Sequence, residues 1–151
     1  MGLQNLVAGF DSQTSLKIKN YMNPWESNYK THQGNIGLGR AIAYYTSKGI
    51  PVMLPLNDSQ KYDLVIDDNT LKRVSIKTTR FKDKRGNFIV QLKNTTLGSS
   101  HNTIRRFDNE SSDVLFILTR DWDMYEIPTC EVKSTCTLTL SKDYDRYKVS
   151  L

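Results

Sequence analysis

The sequence predicts an α/β chain of the α+β kind, with a mainly antiparallel sheet at its centre. One segment, residues 35–48, places Leu38, Ala41, Ile42 and Tyr45 on a single helical stripe. Later segments are short apolar or alternating runs bounded by turn residues, the pattern of strands. Their order, a helix, then strands, then an irregular stretch and more strands, suits a sheet with segregated helix rather than a bundle. With 151 residues the chain is long enough to bury a sizeable core.

Residues 1–30 are polar and weakly patterned, and Pro24 interrupts "SQTSLKIKNYM". They are expected to form an arm or extension to one domain over 31–151. The helix "NIGLGRAIAYYTSK" should stop at Gly49. Gly37 and Gly39 weaken it but permit close packing. "IPVMLPL", "YDLVID", "LKRVSIKTT" and "GNFIVQLK" read as strands. "NTTLGSSHNTIRRFDNESS" reads as an irregular connection, and "DVLFILTR" and "MYEIP" as a hairpin about "DWD". "CTLTL" is the last strand.

Charge and composition narrow the function. Between Lys72 and Arg106 there are ten Lys or Arg against one acid, Asp83, so this segment carries +9 and the remainder −4. Such segregation points to a polyanion, or else to a solvated hairpin tip at "RFKDKRG". No apolar run approaches a membrane span, and no secretory or lipidation signal is readable, so a cytoplasmic protein is expected. Cys130 and Cys136 are the only cysteines and lack a companion cluster for zinc, which leaves two free thiols. His32 and His101 read as surface residues, and no nucleophile with a paired base stands out.

The hairpin Tyr62–Thr79 carries an acid and a lysine among its apolar residues. A two-residue turn at Asp68–Asn69 would set Leu64 against Arg73 and Asp63 against Val74. A three-residue loop, Asp68–Asn69–Thr70, sets Leu64 against Val74 and Tyr62 against Ile76, apolar with apolar. A one-residue slip exchanges faces, so matched partners favour the second register. It places Asp63 opposite Ser75, with Lys77 on the same face. An ordinary cross-strand ion pair would give the same pattern.

The spacing Asp63, eleven residues, Ser75-Ile76-Lys77 resembles the core of PD-(D/E)XK nucleases. The longer stretch from Gly34 to Thr79 and the later "DVLFILTRDWDMYEIP" resemble the group I intron homing endonucleases of cyanobacterial type that carry this core. The resemblance covers residues from about 30 to 140. It implies a restriction-endonuclease-like core, a central mixed sheet with flanking helices, and metal-dependent hydrolysis of DNA phosphodiesters. By that resemblance Asp63 and the Ile76 carbonyl would hold Mg²⁺ or Mn²⁺, and Lys77 would act beside them.

Two positions depart from the family. Its helix glutamate falls at Leu38, and its (D/E) element at Ser75. Leu38 also completes the apolar stripe of the helix, and Ser is a poor metal ligand, so the ion site would be thinned; Gln33, Glu26 and Asp58 are polar candidates to fill it. Lys72, Arg73, Arg80, Lys82, Lys84, Arg85, Lys93, Arg105 and Arg106 would grip double-stranded DNA. One site cuts one strand, which implies a homodimer or homotetramer. The rival readings are an inactive DNA-binding module of the same fold and a Holliday-junction nuclease.

Overall fold

A computed structural model of the chain describes residues 23, 25, 30–57, 59–97 and 102–151. The bulk of the expected arm over 1–30, together with Glu26, Asp58 and His101, lies outside the described residues. Helix α1 (Lys30–Ser47) leads into a sheet of β1 (Val52–Met53), β2 (Leu64–Asp68), β3 (Thr70–Thr79), β7 (Val114–Thr119), β8 (Met124–Pro128) and β10 (Lys148–Val149), in that spatial order. Every pairing in it is antiparallel except β3 with β7, so the sheet is mixed. β4 (Phe88–Gln91) pairs with β9 (Thr137–Leu140), and β5 (Asn94–Leu97) with β6 (Asn102–Arg105), as two separate ribbons. Short 3-10 turns occupy Thr129–Glu131 and Lys142–Tyr147.

β7 is buried along its whole length, as its run "VLFILT" requires of a central strand covered on both faces. Val114, Phe116 and Leu118 pack toward α1 with Leu64, Ile66, Val74, Ala41 and Tyr45. Leu115 and Ile117 pack on the other face against Phe88, Val90, Leu138 and Leu140 of the β4–β9 ribbon. A β ribbon therefore covers the sheet face opposite α1, and α1 is the one α-helix among the described residues, where the resemblance implied flanking helices. Trp25, within the expected arm, is buried in the α1-side core. No helix among the described residues is long and apolar enough to cross a membrane.

α1 begins five residues before the sequence boundary at Asn35, because its first turn, "KTHQG", is polar and carries no periodic signal. It ends as expected, with Gly49 at φ 73°. Leu38 and Ile42 are half-buried against the core, and Ala41 and Tyr45 are fully buried. The adjacent Tyr44 is buried too, and both phenols donate to the Glu126 carboxylate on β8, at 2.9 Å and 3.0 Å. Burial, and then the Glu126 carboxylate, raise both phenol pKa values. The "DWD" turn holds Trp122 at φ 67°, with the Arg40 guanidinium 4.7 Å from its ring centroid and Trp25 edge-on at 6.1 Å. The segment read as irregular contains the β5–β6 ribbon.

α1 lies on β3 at Gly37, where an added Cβ would stand 2.6 Å from Thr78 Cγ2 and 3.1 Å from Ile76 Cγ2. Both neighbours are β-branched and stiff, so the helix must shift to admit a methyl. At Gly39 an added Cβ meets nothing within 4 Å. Gly37→Ala is therefore expected to destabilise the fold by about 1–3 kcal/mol. Gly39→Ala is expected to stabilise it by about 0.5–1 kcal/mol through helix propensity. Urea unfolding of the two variants reads both signs.

Candidate active site

The β2–β3 hairpin adopts the register that matches apolar partners: Leu64 pairs with Val74, Ile66 with Lys72, and Asp67 with Leu71. Asn69 turns the chain at φ 57°, a conformation asparagine tolerates. The ladder stops at Leu64–Val74, one residue short of the expected Asp63–Ser75 pair. Asp63 instead donates its N–H to the Val74 carbonyl (2.9 Å), and its carboxylate accepts the Ile76 N–H at 2.5 Å. β2 thus leaves β3 just where β3 continues to Thr79, and among the described residues β3 is strand-paired from there by β7 on its other side. In a strand the N–H and C=O of one residue point to the same edge. The Ile76 carbonyl therefore faces the open edge beside Asp63.

An open cleft of about 1100 Å³ occupies this edge. Asp63, Ile76, Lys77, Arg80, Phe81 and Lys93 line it from the sheet and β4 side. Lys30, Thr31, Gln33, Gly34, Asn35 and Leu38 line it from the start of α1. Leu54, Pro55, Asn57, Gln60 and Tyr62 close it from the β1–β2 connection. The α1 end directed here carries no acid in its first turn, so its partial positive charge suits an anion such as phosphate.

Asp63 and Lys77 perturb each other. Burial raises the Asp63 carboxyl pKa, opposed by the Ile76 N–H and the Lys77 charge. Burial lowers the Lys77 ammonium pKa, opposed by Asp63. For both groups desolvation outweighs the attraction, the signature of charges retained at a cost to folding.

The other residues singled out by sequence divide between the cleft and elsewhere. Leu38 lines the cleft and also packs on the core. Gln33 lines it too. Ser75 does not: it is 4% exposed, and its hydroxyl donates to the Lys61 carbonyl at 3.3 Å. Arg80 and Lys93 reach the cleft, and the Arg80 guanidinium also donates to the Trp25 carbonyl at 2.8 Å. Lys72 and Arg73 sit at the far end of β3, paired with Asp68 (2.7 Å) and Asp113 (3.0 Å). Lys82 pairs with Asp121 (2.7 Å), while Lys84 and Arg85 are exposed on a turn that Asp83 ties to Asn87. Arg105 and Arg106 are exposed outside the cleft. The sequence reading missed Lys30, Phe81 and Leu54 as cleft residues.

Among the described residues no three His, Cys, Asp or Glu come together to hold a metal. Asp63 is the one carboxylate lining the cleft there, alongside the Ile76 carbonyl and the Gln33 amide. This all-oxygen donor set fits a hard cation that keeps several waters, such as Mg²⁺, at reduced charge.

A PD-(D/E)XK endonuclease family profile matches residues 28–148. Among solved structures, a bacterial homing endonuclease, I-Ssp6803I, superposes with a TM-score of 0.67 at 21% identity, over 80% of this chain and 88% of that one. A comparison with curated proteins finds no match.

Because burial raises the Asp63 pKa, the ionised carboxylate costs folded-state stability at neutral pH. The cost disappears as pH falls and Asp63 protonates in both states. Asp63→Asn is therefore expected to melt higher than wild type at pH 7. The difference should close as the pH is lowered to ~3, measured by thermal denaturation across that range.

Proposed function

The chain belongs to the PD-(D/E)XK endonuclease family, and from that premise we propose that it is a Mg²⁺- or Mn²⁺-dependent, site-specific DNA endonuclease of the homing type. The observation that carries this reading is the meeting of Asp63, the Ile76 edge and Lys77 in one cleft whose other charged lining residues are Lys30, Arg80 and Lys93.

Asp63 and the Ile76 carbonyl would hold the cation, with Gln33 as a further oxygen donor. Bound there, the cation supplies Lewis acidity toward the scissile phosphate and acidifies water. Lys77 orients the attacking water or stabilises charge building on the phosphate oxygens. Its lowered pKa brings the amine nearer the range in which it can exchange a proton. Arg80 and Lys93 hold the DNA backbone, and Lys84 and Arg85 extend that contact from their turn. Each cleft addresses one strand, so double-strand cutting calls for a homodimer or homotetramer.

Conversion of supercoiled plasmid to nicked or linear DNA tests the activity, with ends mapped by sequencing to test site specificity. Wild type should cut in Mg²⁺ or Mn²⁺, and Asp63→Ala and Lys77→Ala should not. A folded wild type that binds DNA yet never cuts would leave the second reading, a DNA-binding module without catalysis. That reading is favoured by Leu38, which occupies the cleft where a second carboxylate would complete the ion site.

Leu38→Glu is expected to raise cleavage at limiting Mg²⁺ by adding a carboxylate beside Asp63. Its cost is up to about 2 kcal/mol of stability from lost packing. Adding Asp63→Ala should abolish the gain, and the same plasmid assay reads both.

In metal-free buffer, duplex affinity should fall steeply with salt. Arg80→Ala and Lys93→Ala should each lower the log–log salt slope by roughly 1. Lys72→Ala should leave it nearly unchanged, because Asp68 already neutralises that charge. Fluorescence anisotropy over a salt series measures the three slopes.

A further inference from the structure

Large apolar side chains stand exposed on both sides of the cleft. Phe81 is 61% exposed on the β3 side, and Leu54 is 53% exposed on the β1 side. Leu56, between the cleft-lining Pro55 and Asn57, is fully exposed. The sheet order β1-β2-β3 sets these two groups across the place where β2 ends.

The Phe81 ring rides on a fixed backbone. Its carbonyl accepts the Ile89 N–H at 2.8 Å, and the next residue, Lys82, bridges Phe88. The Arg80 guanidinium lies 5.1 Å from the ring centroid. An aromatic ring left largely in water beside a guanidinium gains little from burial. It is pre-organised for a partner that offers both a π face and negative charge, which is the chemistry of a base stack with its phosphates.

A second copy of the chain is the weaker occupant. Three side chains bury only a few hundred Å², well short of the roughly 800 Å² per partner of a stable interface. The cleft between them is cationic, which a like-charged copy would not relieve.

Resting on the DNA-endonuclease reading above, we infer that Phe81 and Leu56 are wedges. They enter the base stack of duplex DNA from the two sides of the cleft and kink the helix beside Asp63. Apolar side chains inserted between base steps unstack and bend DNA in this way. The cost is least at flexible pyrimidine–purine steps, so the wedges also select sequence at the cut site without hydrogen bonds to bases.

Ligase-mediated ring closure tests the inference. The probe is a linear duplex of about 120 bp, shorter than the persistence length of DNA. EDTA prevents cutting, and the full chain is compared with Phe81→Ala, Leu56→Ser and the double variant. Anisotropy on the same duplex measures affinity, and light scattering measures mass. Wild type should accelerate ring closure. The double variant, still folded by circular dichroism, should bind yet close roughly tenfold fewer rings, equivalent to 1.4 kcal/mol of bending.

Binding without ring closure, or equal closure by wild type and the double variant, overturns the wedge inference and leaves the endonuclease reading standing. A fall in mass of the double variant to monomer also overturns it, by assigning the patch to a self-interface. No binding by wild type overturns the endonuclease reading, and the wedges with it.

Discussion

The hydrogen bond from the Ile76 N–H to the Asp63 carboxylate marks the place where the sheet opens. β2 pairs with β3 only as far as Leu64–Val74, whereas β3 continues to Thr79 along β7. A strand edge left in this way presents unpaired N–H and C=O groups. One of those N–H groups is taken by a side-chain carboxylate instead of a neighbouring strand. The exchange leaves the adjacent carbonyl free toward the same space and draws an acid into a partly desolvated position. The cleft is thus the space of a strand that departed, and its chemistry follows from what the departure left unpaired.

The rest of the fold holds that opening at a fixed width. Gly37 lets α1 settle directly on Ile76 and Thr78, the residues flanking Lys77. About two turns further on, Tyr44 and Tyr45 close on Glu126 across the sheet. A carboxylate facing the apolar core needs such donors, and together they fix the direction of the helix. Its first turns therefore overhang the cleft, and Leu38 both packs on the core and lines the cleft. A leucine there favours packing, whereas a carboxylate there would add charge to the cleft; one position cannot serve both fully.

Much of this was legible in the sequence, for identifiable reasons. The hairpin register could be read because a one-residue slip would expose Leu64, Ile66 and Val74 together. The body of α1 could be read because its stripe is periodic. The Asp63 departure could not, because it depends on a carboxylate outcompeting a strand for one N–H, which no local pattern encodes. Ser75 looked like a cleft residue by alternation, but the Lys61 carbonyl reaches it from a loop and buries it. The β5–β6 ribbon was hidden in a polar segment with no alternation of apolar residues.

Charge shows the same limit of one-dimensional reading. The +9 segment looks uniform along the chain, yet folding divides it. Lys72 and Arg73 meet Asp68 and Asp113, the latter forty residues away in sequence, and Lys82 meets Asp121. Exposed pairs of this kind add little stability. Their larger effect, for Lys72 and Arg73, is to cancel positive potential at the far end of β3. Asp63 is the one acid lining the cleft among the described residues, and there Lys30, Arg80 and Lys93 keep the field positive. A polyanion approaching the molecule is therefore drawn toward one end of β3, where the open strand edge and the acid–lysine pair are found. At the other end of the same strand, Asp68 and Asp113 neutralise what would otherwise be a second basic patch.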